Sequence, residues 1–416
     1  MNVLSLFSGC GGMDIGFEGD FTCLRRSINE KLHSDWIQSQ NGNWVTVKPT
    51  GFNTVFANDI RPDAKAAWVS YFGKSTPSEA EKIYHVESIV DLVKRAKNGE
   101  NIFPSNIDVV TGGFPCQDFS VAGKRLGFNS QKSHTGGVLE SDEPSVENRG
   151  QLYMWMRDVI TLTKPLMFIA ENVKGLTNLE NVKEIIEKDF ANAADGGYLV
   201  VPAQVLHAAD YGVPQSRERV IFFGFKKSAL THQALKELTS KTISTEYDPY
   251  PQKTHAYTIK DDTLYSPVTC KEAFVDLVEP EESNDPSHQK YSKAKYMGKH
   301  CQGQTEIKIN SIAPTIRSEH HGNIEYRRLS TEHGGQYQDE LSAGLNERRL
   351  SVRECARIQT FPDSYQFIIP KKGDNVSVSS SDAYKIIGNA VPCVLAYNIA
   401  MRLAQNWDLY FGGESK

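Results

Sequence analysis

No stretch of this chain approaches the roughly 20 consecutive apolar residues that a membrane-spanning helix needs, so no membrane partner is expected. The opening residues, MNVLSLFSGCGG, carry no basic segment and run straight into glycines, which argues against a signal peptide. Cysteine is sparse and scattered: Cys10, Cys23, Cys116, Cys270, Cys301, Cys355 and Cys393 include no C-x-x-C pair. That spacing argues against a zinc ribbon or a disulfide framework and leaves no metal site to expect. A reducing cytoplasm, where a single cysteine can be kept for chemistry, fits best. A basic excess is also missing, because the formal net charge is −5. No internal repeat is visible.

What is present is ordinary for a globular chain, with 39% hydrophobic and 23% charged residues. A length of 416 residues suggests two domains. Charge is unevenly spread. Residues 286–372 hold 14 Lys/Arg against 9 Asp/Glu, a local balance of +5, so the remainder carries −10. Any polyanion-binding surface should therefore lie in the C-terminal third.

The first half alternates short apolar strands (3–7, 54–57, 107–111, 166–170 and 220–225) with helical patterns such as 88–96 and 151–163. This predicts an α/β fold, a doubly wound and mostly parallel sheet. Ligands in such sheets sit at the carboxyl ends of the strands. Two polar segments interrupt the pattern: 20–52, and the Ser-, Gly- and Glu-rich 129–148, which reads as a surface loop. From Lys226 the alternation is lost, predicting a smaller irregular domain over 226–373. A helical, apolar-periodic stretch at 382–407 follows. The catalytic domain is then 1–225, completed by 374–416.

Each chemically interesting loop follows or precedes a predicted strand. The glycines of Leu6-Phe7-Ser8-Gly9-Cys10-Gly11-Gly12 let backbone approach a cofactor, although Asp14 departs from a full G-x-G-x-x-G. Asp59, after the second strand, has the carboxylate that holds ribose hydroxyls. A nucleoside cofactor follows, either a dinucleotide or adenosylmethionine. Cys116, in Gly112-Gly113-Phe114-Pro115-Cys116-Gln117, is placed as a nucleophile at a strand mouth; the competing reading is a small buried residue. Glu171, in Glu171-Asn172-Val173, is an acid candidate or an ordinary cap. Arg217 and Arg219 could bind phosphate or a polarised carbonyl, or form a solvated turn.

Taken together, LFSGCGG (6–12), GGFPCQ (112–117), ENV (171–173), QSRERV (215–220), RRLSVRECARIQTFPDSY (348–365) and YKIIGNAVP (384–392) occur in one order. That series resembles the bacterial DNA (cytosine-5)-methyltransferases of restriction–modification systems, over residues 3 to about 403. The resemblance implies a Rossmann-like, adenosylmethionine-dependent methyltransferase fold. It implies that Cys116 attacks carbon-6 of a flipped cytosine, with Glu171 acting at ring nitrogen 3, Arg219 at the carbonyl oxygen and Arg217 supporting nearby.

For S-adenosylmethionine it implies contacts from Phe7, Ser8, Gly9, Gly11, Gly12, Asp59, Ile60, Pro115 and Asn389. The family often places an aspartate before an apolar residue near the adenine; Glu87-Ser88-Ile89 lacks that aspartate, so Ser88 or Glu87 would take its place beside Ile89. Gln117 and Ser120 would meet DNA from the loop that closes over the base. The 226–373 domain would read double-stranded DNA, with Arg317, His320 and Asn323 as donors at base edges. Arg353 and Arg357, four apart on one helix face, would organise the domain junction. A monomer in the bacterial cytoplasm, associated with the nucleoid and paired with a cognate restriction endonuclease, is the implied setting. Two alternatives stand beside it: a tRNA cytosine-5 methyltransferase, and a catalytically inactive DNA-binding subunit.

Overall fold

The computed structural model describes residues 1–115, 152–178, 181–258, 262–318, 323–371, 373 and 376–412. The chain opens with strand β1 (Asn2–Leu6). A small antiparallel sheet follows, made of β2 (Thr22–Leu24), β3 (Ile37–Asn41) and β4 (Trp44–Val47) in the order β2-β4-β3. Next come β5 (Asn53–Asp59), β6 (Tyr84–Val86), β7 (Val109–Gly113), β8 (Met167–Val173), β9 (Tyr198–His207) and β10 (Glu218–Lys226). The central sheet has seven strands in the order β6-β5-β1-β7-β8-β10-β9, and only β10 runs antiparallel to its neighbours.

Alternation along each strand decides which core a side chain joins. Leu4, Phe168, Val220 and Phe222 face the helices Ile89–Lys97, Leu152–Thr163 and Val182–Ala191. Val3, Ile169, Ile221 and Phe223 face the other way, toward Gly12–Glu18 and the long helix Cys393–Phe411. With both faces covered, the strands are near-continuous apolar runs, which is why five of them were legible as such. Two were not. β6 has three residues. β9 contains Pro202, which a sheet tolerates at its edge because no ladder partner needs the missing N–H there.

The strand order reverses beside β1: the chain goes from β1 outward to β5 and β6, then returns to β7 on the other flank. Loops leaving β1 and β7 therefore meet at a switch point, the crevice where doubly wound sheets bind ligands. The apolar C-terminal run, Ser380–Phe411, is long and apolar enough by composition to cross a membrane, contrary to the reading from sequence. Its apolar window is nonetheless 78% buried within the fold, against the first helix.

Beyond Lys226 regular structure is sparse: short helices and a strand pair, β11 (Tyr326–Arg328) with β12 (Arg348–Arg349). Its buried Ile307, Ala313, Ile316, Ile324 and Leu350 join the same apolar cluster as Ile169 and Ile221. Buried arginines do much of the remaining work. Arg328 donates to Glu279 at 2.8 Å and Glu340 at 2.7 Å, and Arg348 to Glu279 and Glu354, both at 2.8 Å. Burial opposes ionisation of Glu279, but the two guanidinium groups override it and hold its carboxyl down at about 2.

The 20–52 segment, read from sequence only as a polar interruption, is a strut built on β2, β3 and β4. Arg26 pairs with Glu272 at 3.1 Å, and the Trp44 indole donates to Asp276 at 3.0 Å. His255, fully buried, has Nε2 2.9 Å from the Arg26 carbonyl and Nδ1 2.8 Å from Thr254 Oγ1. Burial lowers its pKa from 6.5 to about 4. The folded state thus prefers neutral imidazole, so stability from this group is full above pH 6.5 and is lost as pH falls toward 4. The total is on the order of 3 kcal/mol, from about 1.4 kcal/mol per pKa unit. His255→Gln, which keeps a donor without the titration, should flatten the fall in urea-denaturation free energy between pH 7 and 4.5; parallel curves for the two proteins would refute this.

Candidate active site

Parallel pairing of β7 with β8 sets Gly113 opposite Glu171, and antiparallel pairing of β10 with β8 sets Ile221 opposite Glu171 and Arg219 opposite Val173. Glu171 and Arg219 therefore project from the same face at the strand ends. Arg219 Nε lies 2.7 Å from Glu171 Oε1, with the two side chains 12% and 10% exposed. Arg219 also donates to the Glu218 carbonyl at 2.8 Å, which fixes its reach. A Cβ on Gly113 would stand 2.9 Å from Glu171 Oε2, so glycine is what leaves room for the carboxylate. The Asn172 amide donates to the Phe114 carbonyl at 3.2 Å. It thereby holds the backbone two residues before Cys116. Cys116, Gln117 and Ser120 lie outside the described residues, as does His320; Pro115, half-buried, is the last described residue before the cysteine.

The candidate cofactor residues gather at the switch point. Phe7 is half-buried with φ of +54°, a left-handed backbone rare for an aromatic. Ser8 exchanges hydrogen bonds with Asn58: its N–H donates to the Asn58 carbonyl at 2.9 Å, and its hydroxyl accepts from the Asn58 N–H at 3.1 Å. Asp59 accepts from the Gly9 amide at 3.0 Å and the Arg61 amide at 3.1 Å, clasping the glycine loop to the end of β5. Burial raises the Asp59 pKa, against which those two amides work. Tyr84 donates to the Gly9 carbonyl at 2.7 Å. Ile60 is 45% exposed at the strand mouth. From the C-terminus, the turn carrying exposed Asn389 packs so closely that a Cβ on Gly12 would lie 2.3 Å from the Val391 carbonyl. Gly11 closes its turn by donating to the Ser8 carbonyl at 2.9 Å.

Three expected site residues are largely buried within the fold. Ile89 is 3% exposed in the helix-side core, because it opens an amphipathic helix whose apolar face meets the sheet. Ser88 is that helix's N-cap, accepting from the Val90 amide at 3.3 Å. Arg217, fully buried, donates to the Ile316 carbonyl at 3.1 Å and the Gly388 carbonyl at 2.9 Å. It ties those two segments together, two residues before Arg219. Arg317 is half-committed in a similar way, donating to the Asn323 carbonyl and pairing with Glu325, both at 3.1 Å.

Arg353 and Arg357 do bridge segments. Arg353 pairs with Asp285 at 2.5 Å and donates to the Tyr365 carbonyl. Arg357 pairs with Asp276 and Asp363 and lies 4.6 Å from the centre of the Trp44 ring.

Sequence reasoning missed Asn172 as a positioning group, and it missed Gln215 and Gln359. The latter two are fully buried. Gln215 Nε2 donates to Gln359 Oε1 at 2.9 Å, Gln215 Oε1 accepts from the Ile316 amide at 2.9 Å, and Gln359 Nε2 donates to the Ile387 carbonyl at 2.7 Å. The available signal was a glutamine between Ile358 and Phe361 at a helix C-cap, where a buried polar group needs a partner.

This doubly wound sheet, with a glycine loop and a paired acid and arginine at its strand ends, is the fold of adenosylmethionine-dependent methyltransferases. A prophage-encoded DNA modification methyltransferase of E. coli shares it with a TM-score of 0.55 and 21% identity, covering 98% of this chain and 99% of that one. So does the S. pombe Dnmt2 methyltransferase, with a TM-score of 0.55 and 15% identity over 97% and 98% of the chains. Residues 1–405 match the family described as C-5 cytosine-specific DNA methylase, and the chain belongs to that family. Among its relatives is the Type II methyltransferase M.BsuRI of Bacillus subtilis, 32% identical over 99% of this chain and 80% of its own length. Another is M.BspRI of Lysinibacillus sphaericus, 33% identical over 97% and 81%.

Gln359→Leu preserves volume but removes the bond to the Gln215 amide and the bonds that Gln359 Nε2 makes to the Ile387 and Ala390 carbonyls. It should lower stability by about 2–3 kcal/mol, given the cost of unpaired buried groups, seen as an earlier urea midpoint. An unchanged midpoint would contradict the bonding described.

Proposed function

We propose that Cys116 is the nucleophile of this DNA cytosine-5-methyltransferase and that the Glu171–Arg219 pair receives the base it attacks. The observation that carries the proposal is the 2.7 Å contact between Glu171 and Arg219, one strand over from the Gly113 backbone that leads into Cys116. Carbon-5 of cytosine is too weak a nucleophile to take a methyl group unaided. Thiolate addition at carbon-6 supplies electron density to carbon-5, while negative charge builds on ring nitrogen 3. Glu171 hydrogen-bonds nitrogen 3, and Arg219 holds the carbonyl oxygen. Both act where charge develops, so they favour the transition state over the ground state. Loss of the carbon-5 proton and elimination of the thiolate then free the enzyme. None of this is possible in a stacked base, so the cytosine must be flipped out of the duplex.

The crevice residues fit a purine nucleoside: two partly open apolar side chains, Phe7 and Ile60, flank the Asp59 carboxylate. Asp59 would hold the ribose hydroxyls of S-adenosylmethionine, Phe7 and Ile60 the adenine, and the 8–12 backbone with Asn389 the methionine end. When bound, the sulfonium supplies the methyl group. Residues 226–373 would form the target-recognition domain, and 1–225 with 374–416 the catalytic one. The Type II relatives favour a protective role beside a cognate endonuclease; a monomer in the bacterial cytoplasm is the setting this reading expects.

Labelled S-adenosylmethionine tests the reading when offered with genomic DNA or tRNA. Label should enter DNA; label in tRNA alone, or in neither, would sink it. Cys116→Ser should abolish transfer while DNA binding stays within several-fold of wild type. Wild-type turnover by that variant would refute the nucleophile.

A further inference from the structure

Strand β9 ends at His207, which pairs with Glu218, the residue before Arg219. His207 is held from two sides, with Nδ1 3.5 Å from Asp210 and Nε2 3.5 Å from Ser216 Oγ. The Tyr257 ring stacks over it, with centroids 6.4 Å apart and planes at 20°. Among the described residues Tyr257 is the most exposed of the large apolar side chains, at 61%.

The backbone just before Tyr257 is pinned, and so is the chain again from Thr263. The Thr254 and His255 amides donate to the Asp210 carbonyl at 2.9 and 3.0 Å. Ala256 donates to the Tyr265 carbonyl at 2.9 Å, and Tyr265 to the Thr254 carbonyl at 3.1 Å. Asn29, from the 20–52 strut, donates to the Thr254 and Thr263 carbonyls at 2.8 and 2.7 Å. Arg26 lies 4.6 Å from the centre of the Tyr265 ring. An aromatic ring presented to water on so firm a base gains nothing from burial in the free protein.

Its surroundings suit nucleic acid. Lys253, 64% exposed, sits 2.7 Å from Asp210, and Lys174, 49% exposed, 2.8 Å from Glu218. Each ammonium is paired with one carboxylate yet stays largely open to solvent, beside the strand ends that carry Arg219, where a phosphate can compete for it. Ser216, the neighbour of His207, donates through its amide to the Ala313 carbonyl at 2.8 Å, and its own carbonyl accepts from the Thr315 hydroxyl. The ring thus lies on a continuous rim that runs from the catalytic pair toward Thr315 and Arg317.

We propose that Tyr257, backed by His207, is a DNA-contact platform at this rim. Its ring packs against a sugar or base beside the target cytosine, while Lys253 and Lys174 meet the adjoining phosphates. Stacking on an aromatic tolerates any base, so Tyr257 contributes affinity and register more than sequence choice. The inference rests on the DNA-methylating reading above.

The test compares wild type, Tyr257→Ala and Tyr257→Phe in the full-length enzyme. Methylation of genomic DNA is measured first. Then follow the Kd for a duplex containing the methylated site, the Kd for S-adenosylmethionine, and the thermal midpoint. Tyr257→Ala should weaken duplex binding about tenfold, the size expected of one aromatic stack, with cofactor Kd and thermal midpoint unchanged. Tyr257→Phe should stay within twofold. Duplex Kd unchanged in Tyr257→Ala, with a wild type that methylates DNA, would overturn the platform. So would a parallel loss of thermal stability and cofactor binding, which would mark internal packing. A wild type that methylates no DNA would overturn the underlying reading, and the platform with it.

Discussion

Two buried amides and one guanidinium, from Gln215, Gln359 and Arg217, hold together four segments that are distant in sequence. Gln215 and Arg217 take the amide and the carbonyl of Ile316, while Gln359 and Arg217 take the carbonyls of Ile387 and Gly388. All three side chains are fully buried. Gln215 and Gln359 depend on each other directly, and Arg217 on the same two backbone segments, since a polar group without a partner in that setting costs far more than a bond gains. Arg219 sits two residues beyond Arg217 on the same backbone. The placement of Arg219, the turn bearing Asn389 and the segment leading to Arg317 all depend on this cluster.

From that constraint the site follows with little further freedom. Pairing of β8 with β7 and β10 sets Glu171 between Gly113 and Arg219. Asn172, next in the chain, holds the Phe114 carbonyl and so aims the backbone toward Cys116. The acid–arginine contact exists without substrate, so its geometry need not be assembled when the base arrives. Preorganisation of this kind is how charge developing on a ring is stabilised without reorganising water. The strut of residues 20–52 plays a comparable part for the irregular half, through Arg26, Asn29 and Trp44.

Much of this was legible in the sequence where local pattern carries the physics. The five apolar strands, the glycine loop, and the strand ends that carry Glu171 and Arg219 were read from alternation and from motif order; Cys116 lies outside the described residues. What escaped depends on long-range partners. β9 carries an internal proline that only an edge position tolerates, and β2, β3 and β4 were hidden in a polar stretch whose pairing is set by Arg26 and Trp44. The burial of Arg217 has the same origin, because β10 begins between the two arginines of Q-S-R-E-R, and Arg217 reaches interior carbonyls while Arg219 meets Glu171. A helix start at Ser88 likewise turns Ile89 toward the core.

The central claim is that thiolate addition from Cys116 is stabilised by Glu171 and Arg219. It is tested most directly by trapping. DNA carrying 5-fluorocytosine at the target blocks loss of the carbon-5 substituent, so the enzyme with S-adenosylmethionine should stay covalently joined to the base. Peptide mass spectrometry should place the adduct on Cys116. No adduct on DNA that the enzyme methylates when unfluorinated, or an adduct on another residue, would contradict the account.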